Sequence, residues 1–300
     1  MSAGRADVVV VGSGPAGAAT ALGALHADPA LHVVLLDRAE FPRDKPCGDG
    51  VAPHVLDLLA EVGAGDLLLD QVPVRRLRLV RAGRTVERTM ERPAYVVPRR
   101  VLDARLLEAA RRAGADVRRA RVRDLRVHRD GVHLDGGLCA PVVVGADGAR
   151  SVVRRALGRD RGPQALALRG YAPTLPEHAG RQVIALGTQH QPAYAWSFDR
   201  GDGRSNVGYG ELLGRASPPT RRDLLARLEV LLPGTTRGGA DWAGHHLPLS
   251  TRRWDPPRGR VLLVGDAAGL VNPMTGEGIF YAVATGLAAG RAAAAALAAG

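Results

Sequence analysis

The stretch VVVVGSGPAG, residues 8–17, decides the fold of this chain. Its four consecutive β-branched residues, Val8 to Val11, are typical of a strand that is buried on both faces. A G-x-G-x-x-G turn follows at once, an Ala-rich segment predicts a helix to about His26, and His32 to Leu36 predicts a second strand that ends at Asp37. This order of strand, helix and strand predicts a Rossmann-like unit that binds a dinucleotide.

Each position of this unit has a part in holding a dinucleotide. The first glycine permits the tight turn, the second lets backbone amides approach a pyrophosphate, and the third lets the helix and strand pack closely. The helix N-terminus adds partial positive charge, which favours phosphate, and Asp37 is placed to accept hydrogen bonds from the adenosine ribose. The predicted cofactor contacts of this unit are Gly12, Gly14, Pro15, Ala16, Gly17, Asp37 and Arg38.

Two later segments repeat the pattern of a buried strand that ends in glycine and aspartate. Val142 to Val144 runs into GADG at 145–148, and Val261 to Val264 runs into Gly265-Asp266. A simple nicotinamide-binding domain would explain only the first of the three strands. The spacing predicts an α/β fold in which a Rossmann-like dinucleotide-binding domain is discontinuous in sequence and carries an inserted antiparallel β-sheet domain.

The rest of the chain predicts how that insertion is arranged. Arg99 to Ala113 predicts a helix that Gly114 stops, and Val117 to Leu138 predicts a small antiparallel meander with turns at Asp130-Gly131 and Gly136-Gly137. Short strands that hold most of the aromatic residues follow Gly162. We assign 1–70, 99–161 and 255–300 to the dinucleotide-binding domain and 71–98 and 162–254 to the inserted domain.

The composition is that of a globular protein, with 46% hydrophobic and 24% charged residues among 300. This excludes a disordered chain, a collagen and a disulfide scaffold. The 41 basic residues outnumber the 30 acidic ones, and all but Lys45 are arginine. The arginines are scattered and are not interleaved with aromatic residues, so we predict no nucleic-acid partner. Attraction of a phosphate or lipid headgroup remains open.

Cysteine usage and apolar stretches bear on location. Cys47 and Cys139 form no CxxC pair, which disfavours both a zinc site and a disulfide framework. The chain reaches its first strand within seven residues and has no basic-then-apolar leader. The most apolar stretch, 279–300, is mostly Ala and Gly and contains Arg291. We therefore expect a cytoplasmic protein without a membrane span, and contact with a membrane surface stays open.

Several of these motifs together resemble a known family. The chain is similar to the glutathione-reductase-type FAD proteins of the aromatic hydroxylase group and, within them, to the geranylgeranyl reductases. The residues that carry the resemblance are GSGPAG at 12–17, Arg99 with Asp103, GADGARSVVR at 145–154, GDAAGLVNPMTGEGI at 265–279, KPCGDG at 45–50 and Tyr194-Ala195-Trp196-Ser197-Phe198.

The resemblance implies noncovalent FAD, so that the dinucleotide-binding domain is an FAD-binding domain and the inserted domain is a substrate domain, and it implies further cofactor contacts. Gly265 and Asp266 match the pair that holds the ribityl chain, and Asp147 with Gly148 matches the pair that shapes the flavin and pyridine-nucleotide region. Arg99 matches an arginine that touches the FAD backbone. Gly276 and Gly278 form a turn before a helix whose N-terminal amides would face the flavin ring, where a reduced flavin is negatively charged. NAD(P)H is the implied electron donor.

The two last motifs imply reduction of isolated carbon–carbon double bonds in a prenyl chain. Such a bond needs a hydride at one carbon and an acid that protonates the other, because no carbonyl stabilises a carbanion. Cys47 in the Pro-Cys-Gly loop is the candidate acid. The side chains of Tyr194, Trp196 and Phe198 are candidates for the wall of an apolar substrate channel. The chain departs from the family at Asp49, where glycine is usual, and at Asp199, where proline is usual.

Three alternatives accompany this interpretation. The same FAD frame serves monooxygenases that hydroxylate aromatic compounds with oxygen. A halogenase would need a lysine between the flavin and substrate pockets, and Lys45 lies early, in the loop after the second strand, which disfavours that class. The chain stops inside a predicted helix at Gly300, which leaves open a truncated or non-catalytic flavin binder.

His245 and His246 lack ligand spacing and are expected to be polar surface or core groups.

Overall fold

The computed structural model describes residues 4–135, 137–187, 191–214, 217–250 and 259–299. Within these ranges the strands, in chain order, are β1 (Gly4–Arg5), β2 (Val8–Val11), β3 (Val33–Asp37), β4 (Gly50–Val51), β5 (Pro73–Arg81), β6 (Arg84–Val96), β7 (Asp116–Arg119), β8 (Leu125–Val127), β9 (Val132–Leu134), β10 (Leu138–Ala140), β11 (Val142–Gly145), β12 (Gln164–Pro173), β13 (Arg181–Leu186), β14 (Ala193–Asp199), β15 (Arg204–Leu212), β16 (Ala240–Pro248) and β17 (Val261–Leu263). The helices are α1 (Pro15–Ala27), α2 (Pro53–Ala60), α3 (Arg99–Arg112), α4 (Val152–Ala156), α5 (Arg221–Leu231) and α6 (Ile279–Ala298).

A five-stranded parallel sheet has the order β17-β11-β2-β3-β7. All four valines of β2 are buried because both faces of the sheet are covered. Val8 and Val10 pack in one core with α1, α3 and α6, while Val9 and Val11 pack in a second core with the small sheet β8–β10. The α/β prediction is confirmed, and its glycine-ended strands lie side by side.

The expected meander from Val117 to Leu138 is wrong at its beginning. Asp116–Arg119 forms β7, which pairs in parallel with β3 at the edge of the main sheet. An edge strand is half covered, so its mixture of polar and apolar residues mimics an antiparallel strand. The antiparallel part is β8, β9 and β10, to which β1 adds in parallel. The turn predicted at Gly136 lies outside the described residues.

Helices α1 and α6 cross with their backbones in near contact, because small residues face each other. A Cβ atom at Gly286 would lie 2.4 Å from the Ala16 carbonyl oxygen, and one at Gly290 would lie 2.1 Å from the Thr20 carbonyl oxygen. Helix α6 is long and apolar enough to cross a membrane by length and composition alone. Here the buried residues of its N-terminal half, such as Val283 and Leu287, pack in the same core as α1.

The second layer is an eight-stranded sheet of order β16-β12-β15-β14-β13-β5-β6-β4. Its neighbours are antiparallel except for β13 and β5. Helix α5 covers one face, where Leu224 and Leu228 pack on Leu168 and Val183. Strand β4 also joins this sheet, although the sequence places residues 1–70 in the FAD-binding part. The predicted boundary between 254 and 255 lies outside the described residues.

Candidate functional site

A cavity of about 880 Å³ opens at the carboxyl ends of the parallel strands and extends to one face of the eight-stranded sheet. Its size falls within the range of about 300–1,000 Å³ that is usual for ligand sites. The site residues predicted from the sequence line this one cavity, apart from Gly17 and Gly265. The fold therefore brings together six motifs that are spread over 267 positions, from Gly12 to Gly278.

The two predicted residues outside the cavity wall allow close packing instead. A Cβ atom at Gly17 would lie 1.8 Å from the Gly12 carbonyl oxygen, so α1 could not approach β2 with any other residue there. Gly265 has φ +53° and lies against Ala16 and Ala282, at the junction of β17 with α1 and α6. Both residues shape the site without facing its interior.

At the nucleotide end, the backbone and Asp37 form the surface of the cavity. Gly12 has φ +100°, and its amide donates to the Leu36 carbonyl at 2.7 Å, which turns the chain into α1. The two carboxylate oxygens of Asp37 accept hydrogen bonds from the amides of Ser13 (2.8 Å) and Ala39 (2.9 Å). Pro15 begins α1 directly after the turn. Asp37 thus ties the glycine turn to the end of β3, at the edge of the cavity.

Two arginines lie over the glycine turn. The Nη2 atoms of Arg43 and Arg99 would be 3.4 and 3.9 Å from a Cβ atom at Gly14. Asp103 holds both of them: its carboxylate binds Arg99 at 2.6 and 2.8 Å and lies 3.1 Å from Arg43 Nη1. Arg99 is almost fully buried, and this ion pair raises its pKa against the cost of burial. Arg99 was predicted, whereas Arg43 was not.

Next to this cationic pair, Asp266 pairs with Lys45 across the cavity. Lys45 Nζ donates to Asp266 Oδ2 at 3.0 Å, between residues 221 positions apart. Burial alone would raise the pKa of Asp266, but Lys45 outweighs it and holds that pKa below its ordinary value. Sequence position alone placed Lys45 away from the site. That expectation is wrong, because the loop of residues 41–50 folds back over the strand ends.

Asp147 and Gly148 line the cavity beside helix α4. The Asp147 carboxylate accepts hydrogen bonds from the Ser151 hydroxyl and the Val152 amide, both at 2.5 Å. Gly148 has φ +76°, a conformation that favours glycine. This carboxylate therefore fixes the start of α4 at the cavity.

The turn before α6 closes the opposite side of the cavity. Gly276 has φ +67°, and a Cβ atom there would lie 2.3 Å from the Tyr194 hydroxyl oxygen. Tyr194 donates to the Thr275 carbonyl at 2.7 Å, which joins β14 to the turn. Helix α6 begins at Ile279 with Gly278 as its N-cap, so the first amides of α6 lie at the cavity.

Tyr194, Trp196 and Phe198 alternate along β14 and form one aromatic wall. The ring centroids of Tyr194 and Trp196 are 5.9 Å apart. The loop with Cys47 lies on this wall: a Cβ atom at Gly48 would lie 3.5 Å from the Phe198 ring and 3.7 Å from Trp196 Nε1. The structure thus joins the two segments on which the resemblance to the reductases depends.

Cys47 is half-buried between the two parts of the site. Burial raises the pKa of its thiol, Arg99 lowers it, and Asp49 raises it further. The net effect is an upward shift, so the thiol keeps its proton at neutral pH. Among the described residues, Cys139 lies in the remote small sheet, where its sulfur is 3.5 Å from His133 Nε2.

Asp49 is the centre of a buried polar network that the sequence did not reveal. It is 0% exposed, and its Oδ2 accepts hydrogen bonds from the Tyr171 hydroxyl (2.5 Å) and the Asn206 amide (2.8 Å). Asn206 also donates to the Cys47 carbonyl at 2.8 Å and accepts from Trp196 Nε1 at 2.7 Å. The cysteine loop is therefore fastened to β12, β14 and β15.

A second anchor holds the same loop. Arg169 in β12 is 1% exposed, and its Nη2 lies 2.7 Å from both carboxylate oxygens of Asp44. The Arg169 guanidinium also stacks over the Tyr171 ring at 4.6 Å. These partners are 125 positions apart, and nothing local in the sequence pairs them.

His245 also faces the cavity, which corrects the expectation of a surface or core histidine. Burial lowers its pKa to about 4, and Lys45 lowers it further, so the ring is neutral. Its Nε2 is buried and has no hydrogen-bond partner within the part of the chain that the structure describes. The rim beyond it is basic, with Arg150, Arg155 and Arg161 lining the cavity.

The residues present fit an FAD. The cavity offers a glycine turn and a helix N-terminus with two guanidinium groups for a pyrophosphate, and a carboxylate beyond them for hydroxyl groups. It then continues past His245 Nε2, which has no hydrogen-bond partner among the described residues, to the start of α6, where the helix amides favour a negatively charged ring edge.

Comparisons with known proteins agree with this geometry. A family model described as an FAD binding domain matches residues 5–190. The menaquinone reductase of Mycolicibacterium smegmatis is 35% identical, over 94% of this chain and 75% of that protein. The digeranylgeranylglycerophospholipid reductase of Methanothrix thermoacetophila is 32% identical, over 99% of this chain and 79% of that protein.

Solved structures show the same fold. A geranylgeranyl bacteriochlorophyll reductase-like protein from Thermoplasma acidophilum superposes with a TM-score of 0.84 at 24% identity, over 98% of this chain and 79% of that one. A flavin-dependent brominase superposes with a TM-score of 0.80 at 17% identity, over 99% and 80% of the two chains.

Proposed function

Because this chain belongs to the geranylgeranyl reductase-like family of FAD-dependent oxidoreductases, we propose that it reduces carbon–carbon double bonds of a prenyl chain with noncovalently bound FAD. The FAD supplies a hydride when it is bound and reduced. The proposed substrates follow the relatives, whose names give menaquinone and a digeranylgeranyl glycerophospholipid.

One observation carries this proposal, namely the position of the Cys47 loop on the aromatic wall of Tyr194, Trp196 and Phe198. An apolar wall suits a hydrocarbon chain and excludes water from it. A thiol that keeps its proton suits the acid that an isolated alkene requires. In this proposal Cys47 protonates one alkene carbon, and the hydride reaches the other.

We propose NAD(P)H as the electron donor, because Arg150, Arg155 and Arg161 give the cavity rim the positive charge that phosphate groups need. We also propose a cytoplasmic location with contact to a membrane surface, since a prenyl lipid must leave its bilayer to reach the aromatic wall. Substrate identity and donor are separate claims and need separate measurements.

The test uses anaerobic flavin reoxidation. The purified protein is reduced with dithionite and mixed with menaquinone or with a digeranylgeranyl glycerophospholipid, and the flavin absorbance is followed. We expect reoxidation together with a lipid product that has gained two hydrogens and stays reduced in air. A product that returns to its original mass in air indicates reduction of the quinone ring and contradicts the proposal.

Cys47→Ala should leave FAD binding and reduction unchanged and slow lipid-dependent reoxidation by about 10²- to 10⁴-fold. Cys139→Ala is the matched control, because that thiol lies in the remote small sheet, and it should behave like the parent. Hydroxylation of an aromatic compound with oxygen would favour the monooxygenase alternative. Halogenation of such a compound would favour the halogenase alternative, with Lys45 as the lysine between the flavin and substrate pockets. The absence of all turnover would favour a non-catalytic flavin binder.

A further inference from the structure

Asp49 is in a conformation and an environment that both disfavour an aspartate. Its φ is +59°, in the left-handed region where a glycine is at ease and most other residues are strained. Its side chain is completely buried, and Oδ1 has no hydrogen-bond partner in the described ranges 4–135, 137–187, 191–214, 217–250 and 259–299. A buried carboxylate oxygen without a donor is costly, and such groups are rare outside functional sites.

The network around Asp49 leads to Cys47 and to the aromatic wall. The side-chain amide of Asn206 donates to both Asp49 Oδ2 and the Cys47 carbonyl, at 2.8 Å in each case. The Asp49 carboxyl and the Cys47 thiol also influence each other electrically, since the charge on Asp49 raises the pKa of the thiol. Both residues belong to the cavity lining, and the Asp49 carboxyl lies beneath its surface, joined to the Cys47 loop through Asn206.

Burial of Asp49, opposed by its hydrogen bonds and by nearby arginines, gives a carboxyl that changes its protonation state near neutral pH. Burial raises its pKa to about 6, opposed by hydrogen bonds from Tyr171 and Asn206 and by the charges of Arg169 and Arg99. A group with such a pKa can both hold a proton and release it at physiological pH. A glycine, which the backbone prefers here, could do neither.

We propose that Asp49 is the group that returns a proton to Cys47 after each turnover. This inference rests on the proposed function. The S–H bond of Cys47 breaks as a C–H bond forms on the alkene, and the hydride forms the second C–H bond. The thiolate that remains takes a proton from the Asp49 carboxyl, and the Asp49 carboxylate takes a proton from water. Asp49 acts through Cys47 and is therefore a positioning residue for that proton.

The first experiment needs neither FAD turnover nor a lipid. Alkylation of Cys47 by iodoacetamide is followed against pH in the FAD-free protein, and peptide mass spectrometry separates Cys47 from Cys139. Because the Asp49 charge raises the thiol pKa, Asp49→Asn should shift the alkylation profile of Cys47 to lower pH and leave that of Cys139 in place. An unchanged Cys47 profile overturns the proposal, whatever the substrate of the enzyme is.

The second experiment separates the first turnover from the following ones. In Asp49→Asn the Cys47 thiol begins protonated, so a single turnover should keep the parental rate while repeated turnover slows about 10-fold or more. Asp49→Gly relieves the backbone strain and should show the same loss, which separates proton supply from folding. Equal repeated-turnover rates in parent and variants overturn the proposal, whereas an inactive parent enzyme refutes the proposed function instead.

Tyr171→Phe provides a pH-dependent readout that a merely structural role would not give. It removes a hydrogen bond that favours the Asp49 carboxylate, so the pKa of Asp49 rises above that of the parent. In a plot of the repeated-turnover rate against pH, the rate falls where Asp49 loses its proton. This fall should move to higher pH in Tyr171→Phe. A fall that stays in place or moves to lower pH contradicts the assignment.

Discussion

The two halves of the cavity are built in different ways. At the nucleotide end the glycine turn brings backbone to the cavity, Asp37 holds the amides of Ser13 and Ala39 in place, and Arg43 and Arg99 lie over the turn. From the junction of the two halves to the substrate end, side-chain pairs hold the cavity together, and Asp44–Arg169, Lys45–Asp266 and Asp49–Tyr171 join residues 122 to 221 positions apart. A short stretch of sequence can therefore encode the nucleotide-binding turn, whereas the side chains beside it are positioned by pairs that are distant in sequence.

The largest expected effect separates two glycines of the same motif. Gly17→Val would place its Cβ atom 1.8 Å from the Gly12 carbonyl oxygen, so we expect a loss of about 3–5 kcal/mol in the free energy of unfolding. Gly14→Val places its Cβ atom 3.4 and 3.9 Å from the side-chain ends of Arg43 and Arg99, with no backbone atom of the described residues beyond its chain neighbours that close, so the fold should survive while FAD binding is lost. Urea unfolding of the FAD-free proteins and the flavin content after purification measure the two effects.

Gly14→Ser provides a smaller side chain at the same position and should retain part of the binding. A full complement of FAD in Gly14→Val would contradict the binding role of Gly14. Unfolding of Gly17→Val at the parental urea concentration would contradict the packing role of Gly17.

The parts of the structure that could be predicted from the sequence are those whose contacts are local in the chain. The strand β2, the glycine turn and Asp37 are contiguous, so their arrangement is set by local backbone geometry and was predictable. The position of Asp266 was accessible through a motif that resembles a family. The partners of Asp44, Lys45 and Asp49 were not, because they depend on how the loop of residues 41–50 packs on a distant sheet.

Asp49 is a departure from the family pattern that the structure explains. Asp49 stands where the resembling family has glycine, and the structure gives the reason for that preference, since φ there is +59°. The residue itself signalled a departure, but its buried network with Tyr171 and Asn206 was visible only in three dimensions. The prediction for edge strand β7 was wrong for a related reason. Its parallel neighbour β3 lies 79 positions or more before it in the sequence, so local pattern could not show the pairing.

The next effect concerns the pH dependence of stability at the substrate end. The pKa of Asp49 is about 6 in the folded chain and 3.8 when it is exposed, so the folded state binds the extra proton between these values. The free energy of unfolding should therefore fall by about 3 kcal/mol in total from this group as pH rises from about 3 to about 7, with about 2 kcal/mol of that loss between pH 4 and pH 6. Urea unfolding at fixed pH steps measures it.

Asp49→Asn should lose this pH-dependent contribution, so the difference between parent and variant isolates it from other carboxyl groups. Asp266 has the opposite sign, because its pKa is lowered and its contribution disappears as pH falls. A difference between the two proteins that does not vary between pH 4 and pH 6 would show that Asp49 is not a buried, protonated carboxyl.

A smaller effect is expected where the two halves of the cavity meet. Asp266→Ala removes a carboxylate placed for the hydroxyl groups of a ribityl chain, and it should weaken FAD binding by about 1–3 kcal/mol. Titration of the FAD-free protein by flavin fluorescence gives the dissociation constant. Lys45→Met is the companion variant: without the cation, burial raises the pKa of Asp266, and FAD affinity should decrease as pH falls. Full affinity in Asp266→Ala contradicts the role assigned to it.

The smallest effect is expected at the nucleotide end, from Asp37→Ala. This carboxylate accepts hydrogen bonds from the Ser13 and Ala39 amides, and those amides can turn to water when the side chain is removed. We expect FAD affinity to fall by about 1 kcal/mol, roughly fivefold, because a ribose contact is lost while the glycine turn remains. Asp37→Asn keeps one acceptor oxygen and should lose less. The same fluorescence titration decides the matter: if Asp37→Ala binds FAD more weakly than Asp266→Ala, the nucleotide end depends on a side chain and not on its backbone, and the contrast between the two halves is wrong.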